Sequence, residues 1–297
     1  MSCGILVTGI GGQVGWEIAR RAARAGLALK GLTSAELDIS DSKAVHAAVA
    51  QTTPKVIVNC AAYTAVDKAE TEKQRAFAVN RDGPGHLAAA CAARGIPLVH
   101  VSTDYVFDGA SRDPYKEDDP TAPLGVYGQS KLAGEAAVRG FLDRHIIVRT
   151  AWVYGVHGHN FVKTMLRLGA ERDVLRVVAD QRGSPTFAGD LADALIKLAR
   201  RVKSEALPEH AYGTFHYSGG GAVSWHGFAQ RIFELAAPKL GRRPRVEAIS
   251  TAEYPTPARR PANSVLDCSK IGRIHGIMQR PWEAALQEML AETLAAS

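Results

Sequence analysis

Short apolar runs rich in β-branched residues alternate along this chain with longer segments whose apolar positions recur every three or four residues. Ile5-Leu6-Val7-Thr8 is the first such run and predicts a buried strand. Val14, Ile18, Ala19 and Ala22 then share one helical face, up to a natural stop at Gly26. Further strands are predicted at about 27–32, 97–101 and 146–149, and a helix at 127–139, where Leu132, Ala133, Ala136 and Ala137 recur. Strand and helix patterns alternate from Ile5 to about Arg149, which predicts βα units around a parallel sheet. Beyond that point Gly and Pro punctuation thickens around His157, Gly183 and residues 219–221, with helices predicted at 191–202, 225–240 and 282–294.

The first strand runs straight into Gly9-Ile10-Gly11-Gly12-Gln13-Val14-Gly15 and then into the first helix. Gly9 permits the tight turn, Gly12 lets the backbone approach a pyrophosphate, and Gly15 lets helix and strand pack closely. The helix N-terminus offers unpaired N–H groups to phosphates. An ordinary glycine-rich turn is the competing reading. The flanking strand and helix favour a dinucleotide. Acidic residues follow the second strand as Glu36, Asp38 and Asp41, beyond its end, and Lys30 is the nearby base. NADPH and NADH both remain open.

Tyr127 and Lys131 lie four apart and share one face of the predicted helix. A neighbouring ammonium favours a phenolate, so the Tyr127 phenol is expected to titrate below the ordinary value of about 10 and to exchange a proton with a carbonyl substrate. Ser102-Thr103-Asp104-Tyr105 follows a predicted strand, at the carboxyl end where open α/β sheets bind ligands. Thr103 is thereby expected to hydrogen-bond a substrate carbonyl. Each feature alone has a bland reading as a solvated helix face or a turn cap. Together they indicate redox chemistry on a carbonyl or alcohol.

Composition narrows the setting. With 297 residues, 46% of them hydrophobic, the chain can bury a large core. Cys3, Cys60, Cys91 and Cys268 show no paired spacing, which argues for a reducing compartment. The N-terminal apolar run ends in the glycine loop and so does not read as a signal peptide. No run approaches the roughly 20 apolar residues of a membrane span, and a cytoplasmic location is expected. The net charge of +6 is spread over separate Arg pairs with no aromatic interleaving, so no nucleic-acid partner is expected. His157 and His159 lack a third ligand, and no metal is expected there. Arg260 stands apart from the scattered pairs, because a planar fork beside Pro261 and Asn263-Ser264 suits a diphosphate.

The G-x-x-G-x-x-G spacing resembles that of the extended short-chain dehydrogenase/reductase family. Asn59-Cys60-Ala61-Ala62-Tyr63-Thr64-Ala65-Val66-Asp67-Lys68-Ala69-Glu70 resembles a segment of its dTDP-4-dehydrorhamnose reductases. So do Ser102 to Gly109, Arg149-Thr150-Ala151-Trp152-Val153-Tyr154-Gly155, Asp180 to Thr186 and Arg260 to Ser264, and the resemblance covers essentially the whole chain. It implies an α/β Rossmann-type doubly wound parallel sheet over 1–150. A smaller, predominantly substrate-binding part is implied over 151–297, with some segments returning to the first. The implied reaction is NAD(P)H-dependent reduction of the C4 ketone of dTDP-4-dehydro-L-rhamnose to dTDP-L-rhamnose, and the implied triad is Thr103, Tyr127 and Lys131.

Cofactor contacts are implied for Gly9, Gly12, Gln13, Val14, Gly15, Asp38 and Ile39, for Ala61, Ala62 and Tyr63, and for Tyr127 and Lys131. Asp38 would lie beside the adenine and Lys131 would hold the nicotinamide ribose. Substrate contacts are implied for Ser102, Thr103, Asp104, Trp152, Asn160 and Arg260, with Lys163 near them. Trp152 reads equally well as a core tryptophan. Some family members carry Mg²⁺ on glutamates that support a homodimer. Glu17 is kept, but Gly189 with Asp190 beside it stands at the second position, so no metal is expected here.

Three rivals are weighed. A 4,6-dehydratase would carry Asp-Glu after the threonine, where this chain has Asp104-Tyr105. A 4-epimerase would return its hydride, and a non-catalytic regulatory subunit would bind a dinucleotide without turnover.

Overall fold

Strand β1 (Ile5–Thr8) is buried along its whole length, and its alternate side chains serve two different cores. Ile5 and Val7 face one, Leu6 the other, as the period of two dictates. The structure, a computed structural model, describes residues 4–204 and 207–295; Cys3 lies outside the described residues.

β1 belongs to a six-stranded sheet in the order β10-β5-β4-β3-β1-β2. Its other members are β2 (Leu29–Leu32), β3 (Ile57–Asn59), β4 (Leu98–Thr103), β5 (His145–Thr150) and β10 (Gly213–His216), every adjacent pair parallel. Such a sheet is buried on both faces. On one face α1 (Gln13–Arg24) packs with α8 (Ala188–Ser204) and α10 (Ser269–His275), through Ile18, Leu195 and Ile271. On the other lie α2 (Ser42–Thr52), α5 (Gly83–Ala92) and α6 (Val126–Phe141), through Val45, Leu87 and Val138. Short α3 (Val66–Ala69), α4 (Lys73–Phe77) and a π-helical turn at Ala78–Asp82 lead from β3 into α5. The parallel doubly wound sheet expected from the alternation is thus present.

The remaining elements build a third core. They are β6 (Val153–Tyr154), α7 (Phe161–Glu171), β7 (Val174–Val178), β8 (Arg182–Gly183), β9 (Thr186–Phe187), β11 (Val223–Ser224), α9 (Trp225–Leu240), β12 (Arg245–Ile249) and α11 (Trp282–Ala295). Tyr154, Phe228, Phe233, Trp282 and Met289 fill its centre. α8 and β10 belong to this half of the sequence, yet they complete the layers of the large sheet.

Two boundaries move for physical reasons. β2 starts at Leu29 rather than residue 27, because Gly26 takes φ +63° and the Leu27 N–H closes α1 on the Ala22 carbonyl. β4 runs on to Thr103 because Ser102 and Thr103 pair with Arg149 and Thr150 of β5. The Thr103 hydroxyl therefore ends a central strand instead of riding on a loop. Among the described residues no helix is long and apolar enough to cross a membrane.

Candidate active site

A cleft of about 560 Å³ opens at the carboxyl ends of β1, β3, β4 and β5. The glycine loop forms one wall. Gly9 has φ +72°, and a Cβ there would sit 2.5 Å from the Ala61 nitrogen. A Cβ at Gly15 would sit 2.3 Å from the Gly9 carbonyl oxygen. These two glycines let the turn fold on itself. Gly12 differs: its Cβ would meet nothing nearer than 3.5 Å, and it caps α1 with no side-chain hydrogen bond. The first N–H groups of α1 therefore face the cleft unmatched, a cradle suited to a pyrophosphate.

The opposite wall carries the titratable side chains. Thr103 Oγ1 donates to Asp104 Oδ1 at 2.9 Å and accepts from the Tyr105 N–H. Burial pushes the Asp104 carboxyl up to about 7 against hydrogen bonds from Thr103 and Ser264, and its Oδ2 has no partner. Burial also pushes the Tyr127 phenol up to about 12, although a hydrogen bond with Thr103 opposes it. Lys131 is buried and donates through Nζ to the Val101 carbonyl at 2.7 Å. Desolvation lowers its ammonium to about 8, against the pull of Glu135.

The expected electrostatics of Tyr127 are corrected here. The spacing of four does place Lys131 one turn along, but its ammonium is turned onto the Val101 carbonyl of β4, and desolvation dominates at the phenol. Burial governs Tyr127 and keeps the phenol protonated near neutral pH.

Gly12, Gln13, Val14, Gly15, Ala62, Ser102, Thr103, Asp104, Tyr127, Lys131 and Trp152 line this one cleft. Gly9 and Ala61 pack against each other outside the cleft lining. Asp38 turns its carboxylate onto the Ser40 N–H and hydroxyl, and Ile39 is buried against Gly83. Tyr63 is held through both backbone groups by Asn80.

Asn160 does not line the cleft. It caps α7 through the Lys163 N–H and donates to Gln13 Oε1 at 3.0 Å, so it braces a residue that does. Lys163 is tied to the Val156 carbonyl. Arg260 donates to Asp67 Oδ2 at 2.8 Å, and its charge acts on Tyr105, whose side chain lies in the cleft wall. Trp152 is packed against the fold and also reaches the cleft. It takes φ +48°, stacks on Trp225 at 3.5 Å and bonds Ser264 through Nε1, while one edge remains in the cleft.

Several residues of this region escape the motif reading. Asn80 reaches from the π-helical turn to Ser130 Oγ and fastens α6. Glu135, fully buried on α6, accepts from Ser102 Oγ and from both Nε and Nη2 of Arg149. Asn80 carries no signal in a single sequence, whereas Glu135 stands one turn beyond Lys131 in the same helix.

The acidic residues around the position of a shared Mg²⁺ do not fit a cation. Glu17 is buried and both its oxygens are taken by Arg20, with Arg21 on Oε2. Asp190 is held by Arg280, and Glu292 by Arg20. Guanidiniums already supply the positive charge. Among the described residues no group of three or more acidic, His or Cys side chains is placed to hold a metal.

Comparison with known proteins supplies the family. The signature of the family described as RmlD substrate binding domain spans residues 3–295. A dTDP-4-dehydrorhamnose reductase of Sinorhizobium fredii is 47% identical over 286 residues, covering 96% of each chain. The crystal structure of a dTDP-4-dehydrorhamnose reductase from Clostridium acetobutylicum superposes with a TM-score of 0.90 at 40% identity, covering 97% of this chain and 99% of that one. One from Bacillus anthracis, in complex with NADP, superposes with a TM-score of 0.90 at 38% identity, covering 99% of this chain and all of the other.

Proposed function

The chain belongs to the RmlD substrate binding domain family, and from that premise we propose how its cleft reduces a nucleotide-linked ketosugar. The reaction is NADPH-dependent reduction of the C4 ketone of dTDP-4-dehydro-L-rhamnose, giving dTDP-L-rhamnose. The observation that carries this reading is the convergence of Thr103, Tyr127 and Lys131 on the cleft that the glycine loop walls.

Gly12, Gln13, Val14 and the α1 N-terminus would hold the pyrophosphate of the cofactor, with Ala62, Tyr127 and Lys131 toward the nicotinamide. Gly9, Gly15, Ala61 and Tyr63 would shape that wall from behind, and Asp38 and Ile39 would flank the adenine. When bound, the reduced nicotinamide supplies the hydride. NADH is the alternative donor.

Tyr127 donates the proton that the ketone oxygen takes up. A phenol held at about 12 is fully protonated at neutral pH, the form a reduction requires of its acid. The phenolate left behind is reprotonated from Lys131, whose lowered ammonium gives up a proton more readily than an ordinary lysine. Thr103 fixes the ketone oxygen beside the phenol, with Ser102 and Asp104 at its flanks. Trp152 offers its edge to the sugar ring. Asn160 acts at one remove, through Gln13, and Arg260 takes the substrate diphosphate at the mouth.

Residues 1–150 then form the cofactor half and 151–297 the predominantly substrate half, with α8 and β10 returning to the sheet. The buried thiols Cys91 and Cys268 and the part-buried Cys60 are free, which supports a cytoplasmic location. A homodimer belongs to the same proposal. Its mass by light scattering should be unchanged by EDTA, because arginines hold the acidic cluster.

The test is turnover by the purified chain alone. Freshly prepared dTDP-4-dehydro-L-rhamnose should consume one equivalent of NADPH and yield dTDP-L-rhamnose. Binding of NADPH without consumption would refute the reading and favour a non-catalytic role. Interconversion of sugars without net NADPH loss would favour an epimerase.

A further inference from the structure

We propose that Glu135 is a positioning residue of this reduction: its buried carboxylate ties together the two elements that carry the reacting groups, α6 and β4, with the neighbouring strand β5, and sets a fixed negative charge one turn from Lys131. The inference rests on the roles of Tyr127 and Lys131 given above and deepens them.

The geometry is specific. Glu135 Oε1 accepts from Ser102 Oγ at 2.6 Å and from Arg149 Nε at 2.9 Å, and Oε2 accepts from Arg149 Nη2 at 2.8 Å. Ser102 is the neighbour of Thr103 at the end of β4, and its partner across the ladder is Arg149 of β5. Glu135 stands on α6, eight residues beyond Tyr127 and four beyond Lys131. One carboxylate therefore joins the helix of the acid, the strand of Thr103 and the strand that leads to Trp152. Both partners are buried, Glu135 at 0% and Arg149 at 3% exposure, so no water competes for the site. Such a pair is a poor source of stability, since two ions are desolvated to form it. Its value lies in registration and charge.

The charge has a clear recipient. Around Lys131 stand Cys60 from the end of β3, His100 from β4, and Tyr127 and Glu135 from its own helix. Burial pushes the Cys60 thiol up to about 12 and holds His100 well below the ordinary histidine value, so both are neutral. The phenol is neutral too. Around Glu135 stand Ser102 from β4, Arg149 from β5, Arg139 from α6 and His216 from β10, the last pushed down to about 3 by burial and by Arg149. Burial alone would raise the Glu135 carboxyl, but the Arg149 guanidinium outweighs it and keeps it ionised. Glu135 is the anion of this set, and it opposes the desolvation that drives the Lys131 proton off. Removing its charge lowers Lys131 further, so the ammonium is lost at lower pH.

The experiment is the pH profile of Glu135→Gln, which keeps the shape and removes the charge. At about 6 Å and an effective dielectric of about 20, the lost attraction corresponds to roughly two pH units. The alkaline limb of kcat/KM for the nucleotide sugar, measured at saturating NADPH, should move down by about one to two units. The same downward shift should appear without turnover, in the ¹³C titration of Lys131 in lysine-labelled protein, its signal assigned by its loss in Lys131→Met. Glu135→Asp should restore the limb. A bridge of structural value alone would lower the melting temperature and leave limb and titration where they are, and that result in folded Glu135→Gln overturns the proposal.

If Arg149, stranded, unfolds the single variant, the double variant Glu135→Gln/Arg149→Met removes both buried charges. Arg149 partly offsets the Glu135 charge at Lys131, so the double variant should show a downward shift smaller than that of the single variant, and no shift in either folded variant overturns the proposal. A Lys131→Met enzyme with full turnover would overturn the reading of the triad and this inference with it. An inactive Lys131→Met beside an unshifted Glu135→Gln would overturn the inference alone.

Discussion

Valine at Gly12 should abolish NADPH binding and spare the fold, whereas alanine at Gly15 should damage the fold itself. Gly12 has φ −80°, open to any residue, and its added Cβ first meets the Gly9 oxygen at 3.5 Å, an ordinary contact. The two γ-carbons of valine then extend into the cleft that Gly12 lines. A pyrophosphate displaced from the α1 N-terminus loses at least two charge-assisted hydrogen bonds of about 1.5–3 kcal/mol each. That is about 3–6 kcal/mol, or roughly a 10²- to 10⁴-fold rise in Kd. Stability should change by no more than about 1 kcal/mol, the scale of a helix-cap substitution. At Gly15 the same methyl meets the Gly9 oxygen at 2.3 Å and the Ile10 Cα at 2.6 Å, backbone atoms that cannot step aside. Overpacking of that kind costs about 1–3 kcal/mol. Fluorescence titration with NADPH and thermal melts on both variants separate the two effects. A Gly12→Val protein that binds NADPH within threefold of wild type would show that the loop is only a turn, and a Gly15→Ala protein of unchanged stability would refute the packing argument.

Three further outcomes are expected. Tyr127→Phe keeps the ring and loses the transferable proton, so turnover should fall about 10²- to 10⁴-fold with NADPH affinity nearly intact; near-native kcat would remove Tyr127 as the acid. Arg260→Ala should raise KM for the nucleotide sugar roughly ten- to a hundredfold, the value of one charge-assisted hydrogen bond, with a smaller effect on kcat. Exposed Arg259→Ala is its control, and equal small effects at both positions would reduce the pair to a solvated face. Asp104 titrates at about 7 in the fold against about 4 when unfolded, so the stability tied to its protonated form is complete at acid pH and lost as pH rises through 7. The loss is about 4 kcal/mol, and Asp104→Asn should therefore gain in melting temperature over wild type from pH 4.5 to pH 8; a constant difference between the two proteins would contradict the buried carboxyl.

What was legible in the sequence is what short spacings encode. The glycine loop is local: strand, turn and helix lie within twenty residues, Gly15 answers to Gly9 a few positions away and Gly12 faces the cleft, although the close approach of Gly9 to Ala61 is not local. The placement of Thr103 at a strand end and of Tyr127 and Lys131 one turn apart on α6 is legible in the same way. Asn160 shows where such rules mislead. An asparagine at a helix start reads as a site residue, yet the same position is simply a good cap, and here the side chain satisfies Lys163 N–H and Gln13. Asn80 shows what local reading cannot reach. Its amide joins Tyr63, 17 residues away, to Ser130, 50 residues away, and no periodicity marks it.

The protonation states were the least legible part, and for one reason. Spacing tells which groups are neighbours; burial decides which of them can hold a charge. Tyr127 and Lys131 are neighbours on α6, and that alone predicts a depressed phenol. In the fold the lysine turns to Val101, the part-buried phenol is desolvated in the cleft wall, and both shift toward their neutral forms. In the proposed reduction such a site would start with its acid protonated, and a lysine held at about 8 between a buried glutamate and the Val101 carbonyl would return the proton. The protonation states are thus written less in the motif than in the layers of sheet and helix that close over it.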